Sequence, residues 1–291
     1  MKPHFETILD AIDAVTWASM SSRAWLLALC LIGSCSSAPT RAVSVAFSGR
    51  VGDMPFACGQ TYPNVGTTNT TFTGLDFRFY VHDVALVTSD GRAVPIALTN
   101  DGEWQSQGVV LLDFENGDGC EEGNAPMNLV VRGNVPADGT VFTGVRFRLG
   151  VPAALDHLDA DNQPSPLNVT SMFWGWADGY KFFRVDGRTT GQPAGMRFHL
   201  GATACSGDPR TSTRVCANEN DPEITITGFD VDHDTVVADI EGLFAASDLD
   251  HDMGGAAGCM SDTDDPDCTA MFAAIGMGGP QTAFRVVHGG I

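Results

Sequence analysis

Lysine is nearly missing from this 291-residue chain: only Lys2 and Lys181 occur, and with arginine they make 16 basic residues against 36 acidic ones, a formal net charge of −20. Phosphate contact needs a basic footprint, so this scarcity excludes a nucleic-acid binder. No Cys-x-x-Cys pair is present, which removes the usual spacing of a thiolate metal site. Nor is there a Gly-x-Ser-x-Gly elbow, a His-Glu-x-x-His zinc motif or a phosphate loop, so the common hydrolase and transferase signatures are absent. The apolar stretch Ala24–Gly33 is too short to span a bilayer.

What is present suits a folded β protein. Apolar residues make up 43% of the chain and charged residues only 18%, which excludes a disordered acidic tail. The 33 glycines and 15 prolines, among many threonines and valines, predict short strands joined by turns. Alternation is clearest in Gly74–His82, where Leu75, Phe77, Phe79 and Val81 share one face and Asp76, Arg78, Tyr80 and His82 the other. A similar strand is expected over Val141–Val151. Both begin Phe-Thr-Gly and reach Phe-Arg three residues later, a recurrence read as chance among β-prone residues rather than as two halves of a sandwich. Further strands are expected at Ala42–Ser48, Val109–Phe114, Asn128–Arg132, Tyr180–Val185, Met196–Leu200, Glu223–Phe229, Val236–Ile240 and Thr282–Val287, with helical periodicity near Leu243–Ser247 and Cys268–Ile275. The expected fold is all-β, an antiparallel sandwich or barrel-like domain with long loops, spanning residues 42–291 as one domain.

The N-terminal region predicts export. Met20 opens a second start, with Arg23 before the apolar stretch and Ser34-Cys35 after it, the pattern of a secretory signal over residues 20–34. Leu31-Ile32-Gly33-Ser34-Cys35 resembles the bacterial lipobox, which makes Cys35 the lipidated N-terminus, residues 35–41 a short linker and residues 1–19 a mis-assigned start. Ser36 behind it resembles the sorting signal for the outer membrane, so the expected location is its periplasmic face or the cell surface. A plain signal peptide cut near Ala38 is the alternative, and Pro39 argues against it. Trimming to Cys35 removes Lys2, Arg23, Glu6, Asp10 and Asp13 from the 16 basic and 36 acidic residues, leaving 14 against 33 and a net charge of −19. The acidity therefore belongs to the folded domain and favours cations or a basic partner.

Six cysteines remain in an exported chain, an even number in an oxidising compartment. Cys205–Cys216 and Cys259–Cys268 would each close a short polar loop, which leaves Cys58–Cys120. Acidic strings offer a second kind of chemistry. Asp248-Leu249-Asp250-His251-Asp252 is the closest to a Ca²⁺ loop, though its glycine comes late and Cys259 stands where a bidentate Glu would be. Solvated acidic loops are the plainer reading of Asp248, Asp250 and Asp252. Asp156-His157-Leu158-Asp159-Ala160-Asp161 invites a glycosidase reading, but no spacing selects an acid–base pair.

The densest aromatic run is Leu167–Arg184, which holds Trp174 and Trp176 at strand spacing with Gly175 between them, and Lys181. From the residues alone, a core strand or an aromatic platform for sugar stacking are both open; the latter gives a calcium-stabilised carbohydrate-binding or adhesion sandwich.

Gly150-Val151-Pro152, Asp156-His157, Ser165-Pro166-Leu167-Asn168, Met172-Phe173-Trp174-Gly175-Trp176, Gly179-Tyr180-Lys181-Phe182 and Phe198-His199-Leu200-Gly201 together resemble the MbnP-like family, the four-cysteine members of the metallo-mystery pair. The resemblance implies an exported copper-binding protein, not itself an enzyme, encoded beside a di-haem enzyme of the cytochrome c peroxidase/MauG type. It implies that this partner oxidises the first Trp of the W-x-W, here Trp174, to kynurenine, which then helps hold one Cu(I). An intact indole has only an N–H donor, so Trp174 cannot ligate as encoded, whereas ring opening exposes an aromatic amine. Imidazole suits copper, and His199, His82 and His157 are the candidate co-ligands. His199 and His157 lie within the family-like motifs, and His82 is chosen by strand position. Trp176 is either an electron relay to the haem partner or a packing residue. The chain departs from the family pattern in having six mature cysteines, which makes Cys58–Cys120 an added bridge, and in its Asp248–Asp252 loop.

Overall fold

The spine of the fold is a 19-residue strand, Thr70–Thr88, to which most of the larger sheet attaches. The structure is a computed structural model, and it describes residues 38–122, 125–175, 177–208 and 214–289. The expected signal segment, Cys35 and Trp176 lie outside the described residues. Residues from Ala38 onward cluster as one compact unit.

Along one edge the spine pairs antiparallel with Phe183–Arg188 and then Phe142–Leu149; along the other it pairs with Thr61–Val65, Val109–Asp113 and Ala93–Pro95. Met196–Leu200 and Glu223–Thr227 extend the sheet outward. The two Phe-Thr-Gly strands are thus neighbours in one sheet and do not mark two halves. A second sheet runs in the order Phe284–Val287, Thr235–Asp239, Thr40–Val51, Val130–Pro136, Ala97–Leu98. Its pairing of Thr40–Val51 with Thr235–Asp239 is parallel, and the others on that path are antiparallel. The fold is therefore all-β, with multiple antiparallel sheets, no closed barrel among the described strands, and three disulfides.

Phenylalanine fills the space between the sheets. Phe47 and Phe284 from the second sheet meet Phe79 and Phe147 of the first with ring centroids 5.4–6.2 Å apart, and Phe79 stacks on Phe183 at 4.8 Å. The alternation Leu75, Phe77, Phe79, Val81 turns over at Asp83, whose φ is +49°, beside a break in register with Phe142–Leu149. One extra residue in a bulge shifts the facing by one, so Val84 and Leu86 continue the core where Val81 leaves off.

Cys58–Cys120, Cys205–Cys216 and Cys259–Cys268 are the bridges present. The expected strand Tyr180–Val185 is split: Gly179–Tyr180 pairs in a hairpin with Phe173–Gly175, and Phe183–Arg188 belongs to the large sheet. Short helices occupy Ile240–Phe244 and Pro266–Ala274, close to the two segments with helical periodicity. A single turn at Ala153–Asp156 gave no periodic signal because it is only four residues long.

Candidate metal centre

The face of the spine that reads as polar in sequence is buried. Asp76, Arg78, Tyr80 and His82 are all 4% exposed or less, and the chain after Gly150 closes over Arg78, through Ser171 Oγ, and over Tyr80. Tyr80 donates its hydroxyl proton to the carbonyl of Pro166, and its ring meets Tyr180 edge-on. Charges sealed in this way must be paired. Register aligns Asp76 with Asp186 and Arg78 with Arg184, so the sequence pairs Asp-x-Arg and Arg-x-Asp sit side by side. Arg78 Nε donates to Asp76 Oδ1 at 3.0 Å and lies 3.1 Å from Glu115 Oε2. Arg184 Nε reaches Asp76 Oδ2 at 2.9 Å and Asp186 Oδ2 at 2.8 Å, while its Nη1 takes Glu122 at 2.8 Å.

His199 ends this ladder. Its Nε2 is 2.6 Å from Asp186 Oδ1, and its other nitrogen, Nδ1, is buried with no hydrogen-bond partner among the described residues. Burial pushes the imidazole below its ordinary value despite Asp186. Burial also opposes charge on Asp186, but the His199 hydrogen bond and Arg184 outweigh it and hold that carboxyl at about 2. A neutral ring beside an ionised carboxylate donates from Nε2–H, which leaves a lone pair on Nδ1.

Trp174 comes to the same place from the covering segment. It sits half-buried on the Phe173–Gly175 arm of the hairpin, with its ring centroid 6.2 Å from that of His199. Two glycines make the approach possible. A Cβ on Gly201 would lie 2.4 Å from Trp174 Cζ3, so the last residue of Phe-His-Leu-Gly clears space for the indole. Gly179, at φ +72°, turns the hairpin where a Cβ would strike the Asp156 carboxylate. Lys181 Nζ donates to the Ser171 carbonyl at 2.8 Å, as does Arg184 Nη1 at 3.0 Å, tying the hairpin base to the ladder. Trp174 opens onto a cleft of about 450 Å³ shared with Ala177, Asp178, Ala202, Cys205, Arg214 and Met260.

The other sequence candidates lie elsewhere. Four residues of strand separate His82 from Arg78, which is two strands from His199, so its Cα stands roughly 16 Å from that of His199. It is 4% exposed, with Nδ1 3.2 Å from Asp83 Oδ2, and burial pushes its pKa down. His157 lines an adjoining cavity of about 200 Å³ that shares Ala202 and Arg214 with the Trp174 cleft. Its Nε2 lies 3.2 Å from Cys216 Sγ and 3.2 Å from Asp156 Oδ2, and burial pushes Asp156 up to about 7. Among the described residues, the groups of at least three His, Cys, Asp or Glu donors within 4.8 Å of one another are His157–Cys205–Cys216 and Cys58–Glu115–Cys120. The three histidines therefore do not converge on one point.

Asp248, Asp250 and Asp252 do not converge either, because each carboxylate faces a different set of donors. Asp248 Oδ1 accepts from the backbone of Asp250 and His251, and Asp252 Oδ1 from Gly254 N. Asp250 Oδ1 takes the Thr70 hydroxyl at 2.6 Å and Gly191 N at 2.7 Å, which pins the loop to the start of the spine.

The family model of MbnP matches residues 40–261. The chain belongs to the MbnP family. Its structure is similar to that of MbnP from Methylosinus trichosporium, with a TM-score of 0.76 and 30% sequence identity, over 86% of this chain and 99% of that one. None of the curated protein sequences compared matches it. The span matched to MbnP contains Trp174, the three candidate histidines and the whole ladder, and ends before Cys268. Asp186 and Met260 escaped sequence reasoning, and Gly201 entered it only as part of Phe-His-Leu-Gly. Asp186 had a signal, since Arg184-x-Asp186 mirrors Asp76-x-Arg78 and His199 lies on a neighbouring strand.

Proposed function

We propose that this MbnP-family protein is an exported copper-binding protein in which Trp174, opened to kynurenine by a di-haem partner enzyme, holds one Cu(I) together with His199. The observation that carries the reading is the half-buried Trp174 ring 6.2 Å from an imidazole whose Nδ1 is buried without a partner. A buried nitrogen lone pair with nothing to accept is costly unless a ligand uses it, and imidazole is a good copper donor. Loss of the indole C2 carbon leaves an aromatic amine and a ketone, the nitrogen donor that the encoded residue lacks. When bound, Cu(I) supplies a soft cationic centre.

The protein's own residues prepare the site. Asp186 fixes the His199 tautomer and ring angle, Arg184 fixes Asp186, and Gly201 admits the indole. Met260 lines the same cleft, and a thioether suits a soft ion. His82, roughly 16 Å from His199 along the sheet, stands outside this copper. The protein is then the substrate of a modifying enzyme, and half-burial leaves the Trp174 ring partly open to that partner. Cys35 anchors it by lipid on the periplasmic face of the outer membrane or the cell surface, and the net acidity assists docking of a basic partner.

Mass spectrometry of the Trp174 peptide from cells with and without the di-haem partner tests the reading, together with copper analysis of both preparations. The expected result is kynurenine and one copper only where the partner is present. Intact Trp174 in both, or a Trp174→Phe protein that keeps its copper, overturns it.

A further inference from the structure

A second donor set lies on the other side of the wall that bounds the Trp174 cleft. Thr203–Ser206 and Val215–Asn218 form a two-stranded ribbon separate from both large sheets, with Cys205 directly opposite Cys216. Both cysteines are partly exposed, whereas each of the other bridges contains a sealed cysteine: Cys58 at 8%, Cys259 at 0% and Cys268 at 1% exposure. One face of the bridge borders the Trp174 cleft through Cys205, and the other borders the His157 cavity through Cys216. His157 Nε2 is already 3.2 Å from Cys216 Sγ, and the donor atoms of His157, Cys205 and Cys216 all lie within 4.8 Å of one another.

We propose that Cys205–Cys216 is a switchable disulfide, and that its reduction creates with His157 a second metal site for a thiolate-binding d¹⁰ cation, Cu(I) or Zn²⁺. Two thiolates and an imidazole are a soft donor set that such ions prefer. With metal–sulfur bonds of about 2.3 Å and metal–nitrogen bonds of about 2.0 Å, tetrahedral ligand atoms stand roughly 3.5 Å apart. The Cys216–His157 distance is near that value, so the main movement required is separation of the two sulfurs. Asp156 Oδ2 also lies 3.2 Å from the same nitrogen.

The reductant is a dithiol of the thioredoxin class. Its two S–H groups become one disulfide, the Cys205–Cys216 bond breaks, and the two electrons and two protons pass to the two sulfurs. Metal binding then releases both protons. Opening the bridge leaves the core intact, because the ribbon is also held by Asn218 Nδ2 to Thr203 Oγ1 at 3.1 Å and anchored nearby by Asn220 Nδ2 to Gly201 O at 2.8 Å. The site shares no ligand with Trp174 and His199, so it stands independently of the copper reading above.

The test uses the purified, folded chain carrying Trp174→Phe, reduced anaerobically with dithiothreitol and probed with Co²⁺. Alkylation mapping should find Cys205 and Cys216 free and the other four cysteines still bridged. One equivalent of Co²⁺ should then bind with thiolate-to-cobalt charge-transfer absorption that the oxidised protein lacks, and Cu(I) or Zn²⁺ should displace it. His157→Ala should weaken that binding by more than about tenfold, the least that losing even an outer partner of a metal ligand costs. Cys205→Ser with Cys216→Ser should abolish the charge-transfer band. A bridge that dithiothreitol leaves closed, free thiols that bind no Co²⁺, or unchanged affinity in His157→Ala each overturns the proposal.

Discussion

Asp186 Oδ1 and His199 Nε2 stand 2.6 Å apart, the end of a chain of buried polar contacts that starts at Glu115 and Arg78. The contact decides which imidazole nitrogen carries the proton. Asp186→Asn replaces an obligate acceptor by a group that can donate, which allows the ring to turn its proton onto Nδ1. Nitrogen NMR of the metal-free protein should show the Nε2–H tautomer in the parent and its partial loss in the variant. Cu(I) affinity of the partner-modified protein should fall about 10–100-fold, the usual cost of losing such a support. An unchanged tautomer with unchanged affinity would mean that Asp186 only packs.

Gly201 and Trp174 give a second prediction. In Gly201→Ala the new methyl meets Trp174 Cζ3 at 2.4 Å and the Tyr180 carbonyl at 2.7 Å. The indole can swing away; the backbone carbonyl yields less readily. Overpacking of this kind costs about 1–3 kcal/mol, and thermal unfolding should register it. The displaced ring should also be converted to kynurenine in lower yield. Normal yield at lowered stability would show that the enzyme does not require the ring against Gly201.

Much of this arrangement was legible before the structure. Alternation marked the Leu75–Val81 core face, and the spacing of the late cysteines singled out their two bridges. The opposite face of the same strand, Asp76 to His82, gave no sign in the sequence of being covered. Period-two patterning reports which residues lie together; it does not report what covers them. Here the chain after Gly150 closes over Arg78 and Tyr80, and pairing with Arg78 and Arg184 makes the burial of Asp76 tolerable. His82 qualified by parity, but only register across Phe183–Arg188 could show that it stands roughly 16 Å from His199, whose ring meets Trp174.

Glu115 predicts a pH signature. It is fully buried, and burial together with Asp76 pushes its carboxyl up to about 8 against the pull of Arg78. A raised acid binds its proton more tightly when folded, so its contribution to stability is greatest at low pH. That contribution is lost as pH rises from about 4.3, the unfolded value, toward about 8. Glu115→Gln keeps an oxygen for Arg78 and removes the titration. Denaturant unfolding should find variant and parent similar near pH 5 and the variant more stable near pH 8, by on the order of 1–3 kcal/mol. A constant difference between pH 5 and 8 would place the slope elsewhere.

The bridges separate by the chain they close. Cys58–Cys120 spans a sequence separation of 62 and joins the loop after Glu115 to the start of the large sheet; Cys205–Cys216 spans 11 within its own ribbon. Loop-closure entropy rises with the logarithm of that length, which favours the long bridge by about 1.5 kcal/mol. Cys58 also lies in the core cluster, within 3.7 Å of the Leu75 carbonyl. Removing Cys58 and Cys120 as alanines should therefore cost about 2–4 kcal/mol in denaturant unfolding, and removing Cys205 and Cys216 as serines distinctly less. That order is what a bridge free to open requires: Cys205–Cys216 can be a switch only if the fold does not depend on it, and a larger loss from the short bridge would rule it out.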